Sequence, residues 1–382
     1  MYNRMLKIPL NTPSSAFLFG PRGTGKTHWI KTHLPGGIYL DLLEFKLYKE
    51  LLADPGRLVN FIPNGFKGWV ILDEVQKVPE LLNEVHRLIE SQGHRFLLTG
   101  SSARSLKRKG VNLLAGRALR YHMHPLTIQE LGKDFNLKKA LEFGLLPAAV
   151  NSQDAKRYLE TYVQTYLKEE VLQEGLVRNL TAFSRFLEVA SFSQGGLVNH
   201  SEIAREVGVS RQNIADYFTI LEDLLLACHI PAFTKRAKRR LVTHPKFYFF
   251  DVGVYRNLRP MGPLDSAEEV EGAALESLFL QQLKAINDYQ DLGYTIYFWR
   301  TTNQVEVDFI VYGPKGLHAF EIKRASIITN KSLRGLKQFK EDYPEAKLHL
   351  IYTGTHREYR EDINLLPIEQ ALIELPEILG IG

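Results

Sequence analysis

The sequence AFLFGPRGTGKT, residues 16–27, decides the fold of the first part of the chain. Its apolar start predicts a buried strand, the next segment has the spacing G-x-x-x-x-G-K-[ST], and a helical pattern follows. This order of strand, loop and helix is that of a phosphate-binding loop, or P-loop. Glycines let backbone N–H groups surround phosphate oxygens, and the helix start favours negative charge. We therefore predict an ATP site formed by Gly20, Pro21, Arg22, Gly23, Thr24, Gly25, Lys26 and Thr27.

A second apolar strand, residues 69–72, ends in Asp73 and Glu74. An acidic pair at this place in a P-loop protein supplies one carboxylate for Mg²⁺ and another that polarises the attacking water. We predict that Asp73 holds the ion together with Thr27, that Glu74 acts on the water, and that Lys26 reaches the terminal phosphates.

A third apolar strand, residues 95–99, runs into Gly-Ser-Ser. Polar side chains that follow a strand beside the acidic one can contact the γ-phosphate and the attacking water. We expect Ser101 in this role first and Thr99 second. Either side chain could instead cap the following helix.

An arginine that follows a glycine beside a short predicted strand, Arg117, could reach the nucleotide of a neighbouring subunit as an arginine finger. A surface or salt-bridging arginine is an equally open interpretation. Arg104 and Arg120 are alternatives for the same role.

The overall composition limits the classes of protein to which this chain can belong. It has 382 residues, with 45% apolar and 24% charged residues and a net charge of +5. This is a globular composition with room for two or three domains, and its mild basicity neither requires nor excludes nucleic acid. The single cysteine, Cys228, excludes a disulfide framework and a cysteine-based zinc site. No apolar run is long enough to span a membrane and no signal peptide is apparent, so we expect a soluble cytoplasmic protein.

Residues 199–230 have the pattern of a helix-turn-helix. Ser201 is placed to cap a first helix, Gly208 makes the turn, and Ser210 caps a second helix. In such a motif the start of the second helix faces bases or phosphates, which points to Arg211, Gln212 and Asn213. The alternative is a helical subdomain that packs against the ATPase core or mediates oligomer contacts.

A basic run, residues 234–240, follows where the wing of a winged helix would lie, and Lys246 comes shortly after. Such runs are usually solvated faces, but next to a helix-turn-helix this one favours contact with a phosphate backbone. We expect DNA contacts from Lys235, Arg236, Lys238, Arg239 and Arg240.

Two predicted strands near the C-terminus carry charges in otherwise apolar sequence, around a turn at residues 313–316. Residues two apart on a strand share a face, so Glu321 projects with Lys323, and Asp308 projects with Glu306. If the strands pair, these acids converge and could hold Mg²⁺, with the lysine beside them. Glu276 lies on an apolar stripe of a preceding helix, which suggests a further member of this site.

Four segments, GPRGTGKT, LDEVQKVPELL, LLTGSSARSL and LAGRALRYHMHPLTIQEL, resemble AAA-type ATPases of bacteria and archaea that carry a C-terminal restriction-endonuclease-like domain. The resemblance covers nearly the whole chain. It implies an α/β protein with an AAA+ core, a winged-helix segment and a nuclease-like site that matches Glu276, Asp308, Glu321 and Lys323.

We accordingly divide the chain into an ATPase domain at residues 1–130, a helical lid and winged-helix segment at 131–250, and a restriction-endonuclease-like domain at 251–382. The expected function is an ATP-hydrolysing, DNA-binding motor acting on branched DNA, such as forks or four-way junctions, as a ring-shaped homo-oligomer. The alternatives are an ATP-gated, metal-dependent DNA nuclease and a nucleotide-dependent signalling or defence switch.

Overall fold

A computed structural model describes residues 2–101, 114–167, 171, 177, 179–263 and 265–381. The chain divides into two compact units. The first contains residues 1–125 and 223–226, and the second contains residues 126–222 and 227–382. The residues of the predicted second and third domains therefore fall largely within one compact unit.

The first unit is built on a sheet of five parallel strands in the order β2-β3-β4-β1-β5. The strands are β1 (Ser15–Phe19), β2 (Ile38–Asp41), β3 (Trp69–Asp73), β4 (Arg95–Gly100) and β5 (Ala118–His122). The α-helices that the structure describes in this unit are α1 (Lys26–His33), α2 (Phe45–Ala53) and α3 (Leu81–Gln92). Every residue of β1 and β3 is buried, which explains their continuous apolar sequences.

The strand order of the first unit brings the predicted site residues to one edge. In a parallel sheet all carboxyl ends lie on the same side. β4 lies between β1 and β3, so the loop after β1 and the ends of β3 and β4 are neighbours. The three strands predicted from the sequence are confirmed.

The second unit begins with helices. They are α4 (Ile128–Leu131), α5 (Leu137–Phe143), α6 (Pro147–Asn151), α7 (Ala155–Thr161), α8 (Leu180–Ser191), α9 (His200–Val207) and α10 (Arg211–Asp223). The predicted helix-turn-helix is formed by α9 and α10, with Gly208 in the left-handed region at φ 80°. The cap of α9 differs from the expectation, because the side chain of Asn199 accepts from the backbone N–H of Ser201. Asparagine one position before the helix satisfies the free N–H groups directly.

A hairpin of β6 (Ala227–Ile230) and β7 (Lys246–Phe249) follows the helix-turn-helix. Its long connection does not project as a separate wing. Phe233 is buried in the core of the C-terminal sheet, and its backbone N–H donates to Phe298 at 2.7 Å. Leu241 forms a bridge to Thr301. The segment that carries the basic run therefore lies along an edge of that sheet.

The C-terminal sheet has six strands in the order β12-β13-β11-β10-β9-β8. They are β8 (Thr295–Arg300), β9 (Glu306–Gly313), β10 (Gly316–Lys323), β11 (Lys347–Tyr352), β12 (Glu358–Arg360) and β13 (Ile363–Pro367). The helices around it are α11 (Val252–Leu258), α12 (Ala267–Tyr289), α13 (Arg334–Asp342) and α14 (Ile368–Ile378). The predicted pairing across the turn is confirmed, because β9 and β10 are antiparallel with Gly313 opposite Gly316. Within the described residues, no helix is both long and apolar enough to cross a membrane.

Candidate functional site

The loop between β1 and α1 has the backbone that phosphate binding requires. Gly23 and Gly25 adopt φ values of 86° and 97°, which favour glycine. A Cβ atom on Gly20 would lie 2.5 Å from the carbonyl oxygen of Met123, so this position also has no room for a side chain. Lys26 begins α1 and is 7% exposed, and its ammonium donates to the carbonyl of Gly20 at 2.6 Å. The ammonium is thus held against the loop at the N-terminus of a helix.

Asp73, at the end of β3, receives hydrogen bonds from hydroxyl groups on three sides. Thr27 donates to Oδ2 at 3.1 Å, Tyr39 also donates to Oδ2, and Thr99 donates to Oδ1. Burial and the hydrogen bond to Asp73 raise the pKa of Tyr39 well above its ordinary value, so this phenol stays protonated as a donor. Asp73 itself is 4% exposed. Hydroxyl groups around a buried carboxylate leave its negative charge available to a cation.

Glu74 follows Asp73 in a left-handed conformation, with φ 61°, which is unusual for a residue other than glycine. Its backbone N–H donates to the hydroxyl of Thr99 at 3.2 Å. The side-chain amide of Gln76 donates both to the carboxylate of Glu74 and to the hydroxyl of Ser101, the latter at 3.1 Å. One buried amide therefore links the predicted water-polarising acid to Ser101.

Tyr39 and Gln76 were missed in the sequence. The signal for Gln76 was its position as a polar side chain two residues after the acidic pair. Tyr39 carried no comparable signal, because its contact with Asp73 depends on the pairing of β2 with β3.

The residues of this edge fit a nucleoside triphosphate with Mg²⁺. The glycine loop leaves space and N–H groups for phosphates, and Lys26 offers a positive charge within it. Thr27 and Asp73, in contact with each other, would hold Mg²⁺, which prefers such oxygen ligands. When bound, the ion neutralises charge on the phosphate oxygens.

The candidate arginine fingers are in different situations. Arg117 forms an ion pair with Glu90 of α3 within the same chain. Arg120 is exposed on β5. Arg104 lies outside the described residues. A role in trans for any of the three stays a prediction.

A second charged site lies in the C-terminal sheet, around the ammonium group of Lys246. This residue is 2% exposed. Its Nζ forms an ion pair with Glu306, lies 3.4 Å from Oδ1 of Asp308 and lies 4.0 Å from Oε2 of Glu276. Burial alone would lower the pKa of Lys246, but Tyr248 and these carboxylates raise it well above its usual value. Lys246 is therefore a permanent cation.

The remaining groups of this site have defined partners. Asp308 accepts from the backbone N–H of Ile322 at 2.8 Å, and Lys323 forms an ion pair with Glu321. Burial and the charge of Asp308 raise the pKa of Glu276 and of Glu321 to about 8 each. The structure thus brings all four predicted acids and bases of this site into one electrostatic environment, together with Lys246, which was missed.

The site in the C-terminal sheet does not fit the divalent metal that we predicted at Asp308 and Glu321. Lys246 and Ile322 take both oxygens of Asp308. In the part of the chain that the structure describes, no group of three or more His, Cys, Asp or Glu side chains is arranged to hold a metal ion. The physical reason is the buried ammonium, which already supplies the positive charge.

The predicted DNA contacts are partly available. Arg211, Gln212 and Asn213 are exposed at the start of α10. In the basic run, four residues are exposed, namely Lys235, Arg236, Lys238 and Arg240. Arg239 differs from the expectation, because it forms ion pairs with Glu341 and Asp342 at 2.7 Å each. These acids at the end of α13 compete with any phosphate for this guanidinium.

Three family models match the chain. Residues 13–132 match the model described as AAA domain. Residues 134–265 and 271–371 match two models described as domains of unknown function, DUF8612 and DUF4143 respectively. The last match gives no support to the restriction-endonuclease-like domain expected there.

Two relatives align with almost the whole chain. An uncharacterized protein of Mycobacterium tuberculosis is 27% identical over 388 residues, which is 99% of this chain and 83% of the relative. An uncharacterized protein of Methanocaldococcus jannaschii is 23% identical over 379 residues, which is 91% of this chain and 82% of the relative.

Among solved structures, the Orc1 protein of Aeropyrum pernix in complex with DNA is 15% identical, with 65% of this chain and 87% of that chain covered. The TM-score of 0.25 is too low to define a shared fold. The family match and the geometry of the P-loop edge support an AAA-type ATPase domain in the first part of the chain.

Proposed function

We propose that this protein is an ATP-hydrolysing motor that binds and remodels DNA. The contact of Thr27 with Asp73 at 3.1 Å, at the start of α1 and next to Glu74, carries the ATPase part of the proposal. A hydroxyl and a carboxylate in contact beside a P-loop lysine are what a nucleotide–Mg²⁺ complex requires.

In this proposal each side chain has one task. Lys26 binds the terminal phosphate oxygens of the substrate, and Thr27 and Asp73 supply oxygen ligands. Glu74 accepts a hydrogen bond from the attacking water and aligns it with the γ-phosphorus. Gln76 is a positioning residue, because its amide holds the Glu74 carboxylate.

The DNA part of the proposal rests on charge and exposure in the second unit. The start of α10 presents Arg211 and two amide side chains to solvent, and four exposed basic residues lie between β6 and β7. Lysine and arginine side chains bind phosphates without regard to sequence, so we expect recognition of shape and backbone. Branched DNA suits such recognition, and a ring of subunits would place Arg117 at a neighbour's nucleotide once its pair with Glu90 opens.

The nuclease alternative is weakened by Lys246, whose ammonium lies among the acids that would hold the metal. A restriction-endonuclease-like origin of this sheet stays a prediction. The switch alternative differs from the motor in requiring no DNA, so the same experiment separates the two.

The experiment measures DNA binding against salt concentration for two variants. In the first, Lys235, Arg236, Lys238 and Arg240 are changed to Gln. In the second, a matched control, four exposed basic residues elsewhere in the same unit are changed to Gln, namely Lys138, Lys139, Arg157 and Arg185. We expect only the first variant to bind forks and four-way junctions more weakly, with a shallower salt dependence and unchanged basal ATP hydrolysis.

Labelled junction DNA then tests movement. We expect branch or strand movement with ATP and none with a non-hydrolysable analogue. Wild-type protein that moves no DNA with ATP, or DNA binding equal in the two variants, contradicts the motor and leaves the switch.

A further inference from the structure

We infer that Lys246 is a built-in replacement for a divalent cation, so that the acids of the C-terminal sheet form a metal site only when this lysine is removed. This inference does not depend on the proposed ATPase or DNA functions. It concerns a lysine that follows the basic run, residues 234–240, shortly afterwards in the sequence.

The first observation is the central position of the ammonium. Lys246 is reached by carboxylates from two different elements, Glu276 on α12 and Glu306 and Asp308 on β9. Its side chain is 3% exposed, so water contributes little to its solvation. A buried ammonium is tolerated when several carboxylates surround it, which is also how a protein holds a divalent cation.

The second observation is that the acids nearest the ammonium have further hydrogen-bond or ion-pair partners. Glu276 accepts from the hydroxyl of Tyr248 at 3.0 Å, and the second oxygen of Glu306 lies 3.2 Å from Arg300. Asp308 uses one oxygen for Lys246 and one for the backbone of Ile322. The ammonium of Lys246 occupies the place between these acids that a Mg²⁺ or Mn²⁺ ion would need.

The third observation is a buried carboxylate oxygen of Glu321 that has no hydrogen-bond partner among the described residues. Oε2 of Glu321 is buried and has no hydrogen-bond partner within the described part of the chain, while Oε1 contacts Lys323. Glu321 is 6% exposed. A buried carboxylate oxygen without a partner is costly, and it indicates that the cluster has ligand capacity beyond the present cation.

Charge balance explains why the lysine is needed. The carboxylates of Glu306 and Asp308 share the ammonium of Lys246, and Glu306 is also paired with Arg300. Without Lys246, these two carboxylates lose the cation that they share. Excess buried negative charge is strongly destabilising, and a hard divalent cation with oxygen ligands is the species that relieves it.

The test replaces Lys246 by Met, which keeps the length of the side chain and removes its charge. An Asp73→Asn background removes the metal ligand of the P-loop, so that any metal effect reports on the C-terminal sheet. Thermal unfolding is followed with and without millimolar Mn²⁺, and Mn²⁺ binding is measured by electron paramagnetic resonance. Lys235→Met, at an exposed position, is the matched control.

We expect Lys246→Met to lower the Tm by roughly 10 °C without metal, and Mn²⁺ to restore most of the loss. Mn²⁺ should bind this variant at least tenfold more tightly than the Asp73→Asn protein and the control. Adding Asp308→Asn to Lys246→Met should remove the Mn²⁺ effect, because it removes a ligand.

If Lys246→Met folds only when Mn²⁺ is present, the inference is supported in its strongest form. Three outcomes overturn it. Mn²⁺ could bind the lysine-containing cluster as tightly as the variant, the variant could fold without responding to Mn²⁺, or it could fail to fold with and without the ion.

Discussion

Two aspartates on buried strands, Asp73 in the first unit and Asp308 in the second, have nearly the same exposure, 4% and 5%, but different partners. Asp73 accepts hydrogen bonds from the hydroxyl groups of Thr27, Tyr39 and Thr99. Asp308 accepts from an ammonium group and a backbone N–H. The first set of donors is neutral, whereas the second includes a cation.

This difference decides what each site can do. A hydroxyl group can turn away and offer its own oxygen to an incoming ion, so Asp73 and Thr27 can become ligands together. An ammonium has no acceptor oxygen and carries the charge that the ion would bring. Under the proposed function, the acidic residue of the first unit would accept an exchangeable cation, whereas that of the second unit already contacts an ammonium group.

The largest effect is expected from Lys26→Ala. Removing the ammonium that lies against the P-loop should lower ATP turnover on the order of 10²-fold or more, since it removes the charge that faces the terminal phosphates. Steady-state hydrolysis and nucleotide binding measure this change. A turnover near that of the wild type would show that the loop is not the nucleotide site.

Glu74→Gln sharpens the comparison, because it keeps Asp73 as the proposed magnesium ligand and removes only the carboxylate that polarises the attacking water. We expect ATP to remain bound while hydrolysis falls roughly 10²-fold, because a neutral amide polarises water poorly. Single-turnover hydrolysis and analogue binding separate the two effects. Hydrolysis at the wild-type rate would mean that the acidic pair after β3 has been assigned wrongly.

Two stacked histidines, His318 and His349, should make the stability of the second unit depend on pH. Burial lowers the pKa of His318 to about 4 and that of His349 to about 3, from 6.5. Both histidines are neutral in the folded state, so unfolding takes up protons below pH 6.5. The contribution of these histidines to the free energy of unfolding is then fully present above this pH and is lost as the pH falls, by about 2 kcal/mol for each histidine at pH 5.

Thermal unfolding from pH 7 to pH 5, compared between the wild type and a variant without one of the histidines, measures this contribution. The variant His349→Phe keeps a ring stacked on Phe320 and should lose less stability over this range than the wild type. His356→Gln, at an exposed position, is the control. If the Tm of His349→Phe depends on pH as steeply as that of the wild type, His349 is not one of the groups that cause the loss of stability.

A smaller effect is expected from Gln76→Ala. Without the amide, Glu74 loses a hydrogen bond that orients it, and ATP hydrolysis should fall about 10-fold while nucleotide affinity stays unchanged. Gln153→Ala, exposed in the second unit, should leave both unchanged. Equal loss of affinity and rate would place Gln76 in nucleotide binding rather than in the positioning of Glu74.

The sequence was sufficient to predict those parts of the structure that depend on contacts between residues close together in the chain. The strands of the P-loop edge, the helix-turn-helix and the pairing of β9 with β10 follow from apolar patterns, glycines and short turns. The cap of α9 was misplaced by two residues, because Asn199 and Ser201 are both good capping residues.

The partners of charged residues were not predictable in the same way. Lys246 and Arg239 continue a basic run in the sequence, yet their acidic partners lie 62 and about 103 residues away. A pattern of residue types carries no information on which distant carboxylate a strand will meet. The acids of the C-terminal sheet were recognised from the sequence, whereas the ammonium group among them was not, and the metal assignment there stays a prediction.

The central claim is that one acid site accepts a divalent cation and the other holds a lysine in its place. The direct measurement counts Mn²⁺ ions bound to wild-type protein by electron paramagnetic resonance, with and without a non-hydrolysable ATP analogue. We predict a single ion per chain with the analogue and none without it. That ion should disappear in Asp73→Asn and persist in Asp308→Asn. A second ion, or an ion that is lost in Asp308→Asn, would contradict the claim.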